Sequence, residues 1–309
     1  MNRKDFLKTG ILASGSLIMA SKSADAKANN INKNNFNIMD SNTANICKTC
    51  GTRYAREVFD VNRCPICLDD RQYLKESGQQ WISFDELKQT SSIKINQVSE
   101  NIYSLIMQPT FAIGQRALFI TSPEGNVLWD CLPFIDEASV TFIKNNGGLK
   151  YIAISHPHYY SFMNEWAKAF DCPVYLHQMD QNWVMDKSDR LQFWKQDQIQ
   201  LLPSISIIHL GGHFPGSTVL HFKPVKGDSS LLTGDTLYLS RDNKHISVMY
   251  SYPNMIPISP EELFAILGKV GKLSFNSIYG PFIWQNIYTG ADEIIKNSTA
   301  KYQSIYNKK

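Results

Sequence analysis

Tyr151-Ile152-Ala153-Ile154-Ser155 runs directly into His156-Pro157-His158-Tyr159-Tyr160-Ser161. An apolar run of this length with no alternation predicts a strand covered on both faces, as in a sheet that carries helices. Loops at the C-terminal ends of such strands build binding sites, and this loop opens with two imidazoles two residues apart. Pro157 biases His156 toward extended backbone, and imidazoles so spaced can approach one ion from the same side. Two later segments have the same design. Gly211-Gly212-His213-Phe214-Pro215-Gly216-Ser217 sets a third histidine among residues that fix a tight loop. Leu232-Thr233-Gly234-Asp235-Thr236 puts a carboxylate just past another strand. Three histidines hold a zinc ion while leaving it an open position for chemistry.

Outward from that centre, short β-rich runs come first, at residues 102–107, 116–121 and 127–129. A helix is predicted over residues 135–145, with Ile135, Ala138, Phe142 and Ile143 on one face. A second is predicted over residues 161–170, with Phe162, Trp166 and Phe170 four apart. Strands recur at residues 206–209, 219–222 and 231–233, and Ser259-Pro260-Glu261-Glu262 marks a helix start. Leading strands followed by alternating strands and helices predict an α/β chain with mixed sheet layered by helices.

The three histidine and aspartate segments resemble, in type, order and spacing, the HxHxDH, GHTPGS-like and GD elements of the metallo-β-lactamase superfamily. The resemblance runs from about Ile93 to the C-terminus and implies an αββα sandwich of two mixed sheets, placed at residues 90–309. It implies His156, His158, His213 and Asp235 as metal ligands. The chain departs from the family where Tyr160 and Ser161 replace the usual aspartate and histidine. It has no histidine after His245, and the late stretch reads Ile278-Tyr279-Gly280-Pro281-Phe282. Three ligands of a second metal are therefore missing. What remains suits one zinc and a hydrolase acting on an ester, thioester, lactone or amide of a small-molecule substrate. Asp235 is expected to orient the water and move its proton, and Tyr160 to donate to an oxyanion, unless Tyr160 instead fills the second-metal position. A catalytically inactive binding protein of this fold is the second reading. His177, His209, His221 and His245 lie in no matching motif and are expected to be ordinary histidines. The aromatic stretch Met249 to Met255 is expected either to line the pocket or to be a buried strand and turn.

Upstream, Cys47-Lys48-Thr49-Cys50-Gly51 and Cys64-Pro65-Ile66-Cys67 are separated by thirteen residues. They resemble the paired knuckles of zinc-ribbon and rubredoxin-like domains, with Gly51 supplying positive φ after the first pair. The module is placed at residues 46–81. Four thiolates accept zinc, which would make it structural, or iron, which would make it an electron carrier and support a third, redox reading. Cys131 and Cys172 fall at opposite ends of predicted parallel strands and read as buried small hydrophobes.

Residues 1–28 carry Arg3-Lys4-Asp5-Phe6-Leu7-Lys8, a weakly apolar run and A-x-A options at Ala24 to Ala28. That order resembles a twin-arginine export signal, with Lys4 in place of the second arginine, and predicts a bacterial, periplasmic protein. Without a working signal the chain would stay cytoplasmic. Residues 29–45 are rich in Asn and read as a disordered linker. A formal net charge of +3 over 309 residues gives nucleic-acid binding no support. No stretch approaches the roughly 18 continuous apolar residues of a membrane span. Oligomeric state is not legible.

Overall fold

The computed structural model describes residue 38 and residues 40–306. A seven-stranded sheet runs β1 (Ser92–Ser99), β2 (Ile102–Gln108), β3 (Arg116–Ile120), β4 (Val127–Trp129), β5 (Tyr151–Ala153), β6 (Val174–His177) and β7 (Leu191–Trp194), in that spatial order. Its first four strands pair antiparallel and the last four parallel. A six-stranded sheet follows in the order β8 (Gln198–Leu202), β9 (Ile205–His209), β10 (Thr218–Phe222), β11 (Ser230–Leu232), β12 (Ser277–Tyr279) and β13 (Asn286–Ile287). Only β11 and β12 pair parallel within it.

Strand periodicity sends alternate residues to different cores. Leu118, Val127, Trp129 and Ala153 meet Ile205, Ile207, Leu220 and Leu232 between the two sheets. Ile152 and Ile154 face the other way, toward Val140 and Ile143 of helix Glu137–Asn145 and Met163, Trp166 and Ala167 of helix Met163–Phe170. On the far side, helices Pro260–Val270 and Ala291–Tyr306 cover the second sheet through Leu263, Ile266, Leu267 and Ile295. The layers are helix, sheet, sheet, helix, so the αββα sandwich is the observed fold.

Helix starts differ from the sequence reading by about two residues, for local reasons. Asp136 is an N-cap, its side chain accepting from the Ser139 N–H at 2.8 Å, so the first helix begins at Glu137. The second begins at Met163 because the chain first makes a 3₁₀ turn, Pro157–Tyr159, and then passes Ser161 at φ +27°.

The four-cysteine segment and the sandwich form one compact unit. A Cβ on Gly51 (φ +80°) would come within 2.6 Å of Pro133 Cβ, so the glycine serves both the turn and the docking. The Ala55 N–H donates to the Met185 carbonyl at 3.1 Å, and Arg53 pairs with Glu165. Within the stretch read as a linker, Ile38 is buried in the helix-side core with Phe84 and Leu87. The Asn45 side chain donates to the Tyr54 carbonyl at 2.6 Å. Order therefore begins ahead of residue 46, because one isoleucine found a place in the core. The export-signal reading and residues 29–37 of the linker lie outside the described residues. Among the described residues no helix is long and apolar enough to cross a membrane.

Candidate metal centre

Each of the four candidate ligands sits where a strand ends, and backbone contacts between the two sheets bring those ends together. Ser155, just past β5, donates its N–H to Asp130 Oδ1 at 2.7 Å and accepts at its carbonyl from the Thr218 N–H of β10 at 3.0 Å. The 3₁₀ turn then folds His158 back beside His156. His213 lies on the loop between β9 and β10, where Gly211 and Gly212 adopt φ +79° and +86°. Asp235 follows β11 through Gly234, whose φ is +58° and whose added Cβ would lie 2.4 Å from Ser155 Oγ. Only glycine lets these two strand ends close on one another.

His156, His158, His213 and Asp235 each offer one ligand atom, all within 4.8 Å of one another, and all four residues are buried. His158 Nδ1 and His213 Nε2 are 3.1 Å apart, and His156 Nε2 faces Asp235 Oδ2 at 3.4 Å. A tetrahedral ion with ligand distances of about 2.0–2.1 Å has edges of about 3.3 Å, so the separations fit one shared cation. The other ring nitrogen is tied in His213 and His156, while His158 Nε2 has no hydrogen-bond partner. His213 Nδ1 meets the Tyr250 carbonyl at 2.9 Å, which assigns the proton there and leaves Nε2 bare. His156 Nδ1 meets Ser155 Oγ at 2.8 Å. Such outer contacts fix tautomer and ring orientation in metal sites. His156 Nε2 has no hydrogen-bond partner of its own, as expected of a donor waiting for a cation.

The electrostatics agree. Burial, with the charges of His156 and its neighbours, brings the His213 pKa down to about 3 and pushes His158 well below the usual imidazole range. Both rings are neutral and ready to donate lone pairs at neutral pH. Burial alone would raise the Asp235 carboxyl, but the His156 contact, the His213 ring and the Tyr159 hydroxyl together hold it below the usual carboxylate range.

Tyr159, not Tyr160, belongs to this centre. The Tyr159 hydroxyl donates to Asp235 Oδ2 at 2.8 Å, and its ring packs 4.3 Å from the His156 ring. Tyr160 is buried in the helix-side core, and burial together with the Asp180 charge pushes its pKa well up. The oxyanion role expected of Tyr160 is therefore corrected. Residues three apart eclipse in a 3₁₀ turn, so position 159 returns to His156 while position 160 points away.

Beyond the ligands lies a cavity of about 280 Å³. His158, His213 and Asp235 form its base, and Tyr238, Tyr252 and Phe282 line one side. Tyr252, from the aromatic stretch, also donates to the Asp235 carbonyl at 2.7 Å. Much of the remaining wall comes from the four-cysteine segment, through Lys48, Thr49, Arg71, Gln72, Tyr73 and Lys75. Arg71 joins that wall to the ligands. Its Nε donates to the His213 carbonyl at 2.5 Å, and its Nη1 reaches both Asp69 oxygens at 2.9 and 3.0 Å. Its guanidinium lies 4.4 Å over Phe214 and 4.2 Å over Tyr250.

The four cysteines form a second cluster, again within 4.8 Å and buried. Cys47 and Cys67 sulfurs are 3.6 Å apart, as are those of Cys50 and Cys64. Metal–sulfur bonds of about 2.3 Å give tetrahedral edges of about 3.8 Å. Hydrogen bonds from Cys50, Cys64 and Cys67 hold the Cys47 thiol well below its usual range, while burial drives the Cys50 thiol up. Gln79 Nε2 donates to Cys47 Sγ at 3.2 Å. Cys131 and Cys172 are buried and unpaired. The remaining described histidines stay apart from both clusters. His177 stacks on His209 at 4.0 Å, His221 Nε2 meets the Ser274 carbonyl at 2.9 Å, and the His245 N–H donates to Ser240 Oγ at 3.0 Å.

Comparison with known proteins agrees with this arrangement. The metallo-beta-lactamase superfamily model matches residues 112–273. The uncharacterized protein YmaE of Bacillus subtilis (strain 168) is 39% identical over 265 residues, covering 85% of this chain and 96% of YmaE. Among solved structures, DIM-1 metallo-beta-lactamase is similar with a TM-score of 0.52 at 15% identity, covering 69% of this chain and 98% of its own. The metallo-beta-lactamase SMB-1, solved with mercaptoacetic acid, has a TM-score of 0.50 at 15% identity, covering 71% and 96%. At these identities the two structures speak for the fold alone. The family model and the conjunction of fold with a three-histidine, one-aspartate centre lead to one conclusion: this chain belongs to the metallo-beta-lactamase superfamily.

Proposed function

We propose that the chain is a metal-dependent hydrolase that works with a single zinc ion on an ester, thioester, lactone or amide. The observation that carries this reading is the convergence of ligand atoms from His156, His158, His213 and Asp235, three of these residues lining an open cavity. A zinc ion held by these residues would supply a Lewis acid and would bring a bound water's pKa toward ~7. The chain's own residues do the rest. Neutral His158 and His213 provide lone pairs without proton competition. Asp235 commits Oδ2 to the Tyr159 hydroxyl, which leaves its other oxygen to hold a water and take up its proton. Tyr238, half-buried and stacked 4.5 Å from Tyr252, keeps its phenol protonated through burial and the nearby Asp235 charge. It takes the oxyanion-donor role once expected of Tyr160. A cavity of about 280 Å³ suits a small molecule. Zinc in the cysteine cluster would hold the segment that walls this cavity. Export is part of the same reading and is checked by the mass of the mature N-terminus.

The test is metal analysis of the purified mature chain, followed by an ester and thioester panel. Two zinc ions per chain, with turnover abolished by chelation and by His213→Ala, is the expected result. Metal at both centres without turnover would favour a binding protein, a reading motivated by Tyr160 and Ser161 at positions of second-metal ligands. Iron in the cysteine cluster, with visible absorbance that bleaches on reduction, would favour electron transfer.

A further inference from the structure

We propose that the substrate of this centre carries an anionic group, bound by Lys48 and Lys75 of the four-cysteine segment. The proposal rests on the metal-centre reading above and adds the class of molecule that the centre accepts. Its basis is the ownership of the cavity walls: one side comes from the sandwich, the other from the short segment around the cysteines.

The charges on that wall are not interchangeable. Arg71 is largely committed, its Nη1 to both Asp69 oxygens and its Nε to the His213 carbonyl. Lys48 and Lys75 also line the cavity, both are exposed, and neither makes an ion pair among the described residues. Lys48 acts at longer range on the Glu86 carboxylate, which does not line the cavity. The cavity's one carboxylate, Asp235, is committed to Tyr159 and faces His156. With neutral imidazoles, a divalent cation and one aspartate leave about one positive charge at the base, and two lysines add to it from the wall. A neutral or cationic ligand leaves that field unanswered. An anionic substituent, reaching from the scissile carbonyl toward the wall, meets two freely rotating ammonium donors beside the Thr49 hydroxyl. Lysines act as point charges, so carboxylate and sulfonate or phosphate groups share the required chemistry.

Three small thiols separate the possibilities without needing turnover, because a thiolate binds the metal while its tail probes the wall. Zinc-loaded protein is titrated calorimetrically with 2-mercaptoethanol, 3-mercaptopropionate and 2-mercaptoethanesulfonate, at two salt concentrations. Expected is a preference of about tenfold for an anionic tail over the hydroxyl tail, the size of one charge-assisted contact. The preference shrinks with salt and falls to within about twofold in the Lys48→Gln/Lys75→Gln variant. A stronger preference for the carboxylate or the sulfonate identifies the anion. Equal affinity for all three thiols, or a preference that survives the double substitution, overturns the proposal while leaving the metal centre standing. Failure of every thiol to bind counts against the metal centre itself and takes this proposal with it.

Discussion

Arg71→Lys should weaken metal binding at a centre to which Arg71 is not a ligand. The substitution keeps a positive charge, and an ammonium can still reach Asp69. It cannot at once hold the His213 carbonyl and lie flat between Phe214 and Tyr250. A hydrogen bond from a charged donor contributes about 1.5–3 kcal/mol. Each largely desolvated aromatic contact adds about 0.5–2 kcal/mol, and Arg71 is only 9% exposed. Roughly 3 kcal/mol of the wall's attachment is therefore at stake. Because the released carbonyl belongs to His213, part of that loss appears in ring orientation, for which outer contacts of metal ligands set a scale of about 10–100-fold in affinity. The assay is competition with a chromogenic chelator for the histidine-site metal, with native mass spectrometry confirming that the cysteine cluster stays loaded. Thermal unfolding is followed in parallel and should drop by about 5 °C for a chain of this size. A fall in melting temperature with metal affinity within twofold of the parent refutes the reasoning. Arg71 would then hold the wall without positioning His213.

Tyr159→Phe removes a hydroxyl from Asp235 Oδ2. It should raise the Asp235 pKa and cost about 1.5–3 kcal/mol in metal-loaded stability, whereas Tyr160→Phe should leave metal affinity unchanged; equilibrium unfolding and chelator competition read both. Gly234→Ala adds a Cβ 2.4 Å from Ser155 Oγ at a backbone φ of +58°. Left-handed strain and overpacking together should cost about 2–5 kcal/mol in denaturant unfolding, and a loss under about 1 kcal/mol would contradict the closure described here. The third concerns pH. His213 has its pKa depressed to about 3 and His158 is also well down, so neither binds a proton at pH 5 in the folded chain. Histidine-site affinity should therefore fall by no more than about tenfold per unit between pH 6.5 and 5, the slope of one proton. A slope of two or three protons shows ordinary imidazoles. The unfolded chain does take up those protons, so stability is full above about pH 6.5 and declines toward pH 3.

What was legible in the sequence was mostly what is local. The run before His156 announced a strand buried on both sides, and Ile152 and Ala153 do enter different cores. The loop glycines around His213 and before Asp235 carried their backbone requirement openly. Choosing between Tyr159 and Tyr160 needed the phase of a single turn. Two adjacent tyrosines give no periodicity to read, although the i, i+3 return of a 3₁₀ turn was the available signal. The placement of Ile38 was hidden for a different reason: scattered apolar residues in an asparagine-rich stretch show no period to read until a pocket exists for one of them. Least legible was the use of the cysteine segment as a cavity wall. Lys48 lies 108 residues before His156 and Arg71 142 before His213, and no pattern in either segment refers to the other.

That last relation changes how the two clusters are understood. Four thiolates around one ion let a segment with little core of its own acquire a fixed shape. Here the shape is pressed onto the sandwich by Gly51 against Pro133, by Arg53 with Glu165, and by Asn254 Nδ2 donating to the Asp70 carbonyl at 2.8 Å. The free energy that orders the cysteine cluster therefore also places Arg71, Lys48 and Lys75 around the histidine centre. A flexible lobe could not do this, since ordering it on each encounter would cost the binding energy of its contacts. The departures from the family at Tyr160 and Ser161 then have a counterpart in the wall. Lys48, Arg71 and Lys75 bring positive charge to that cavity from a segment the sequence presents as a separate domain.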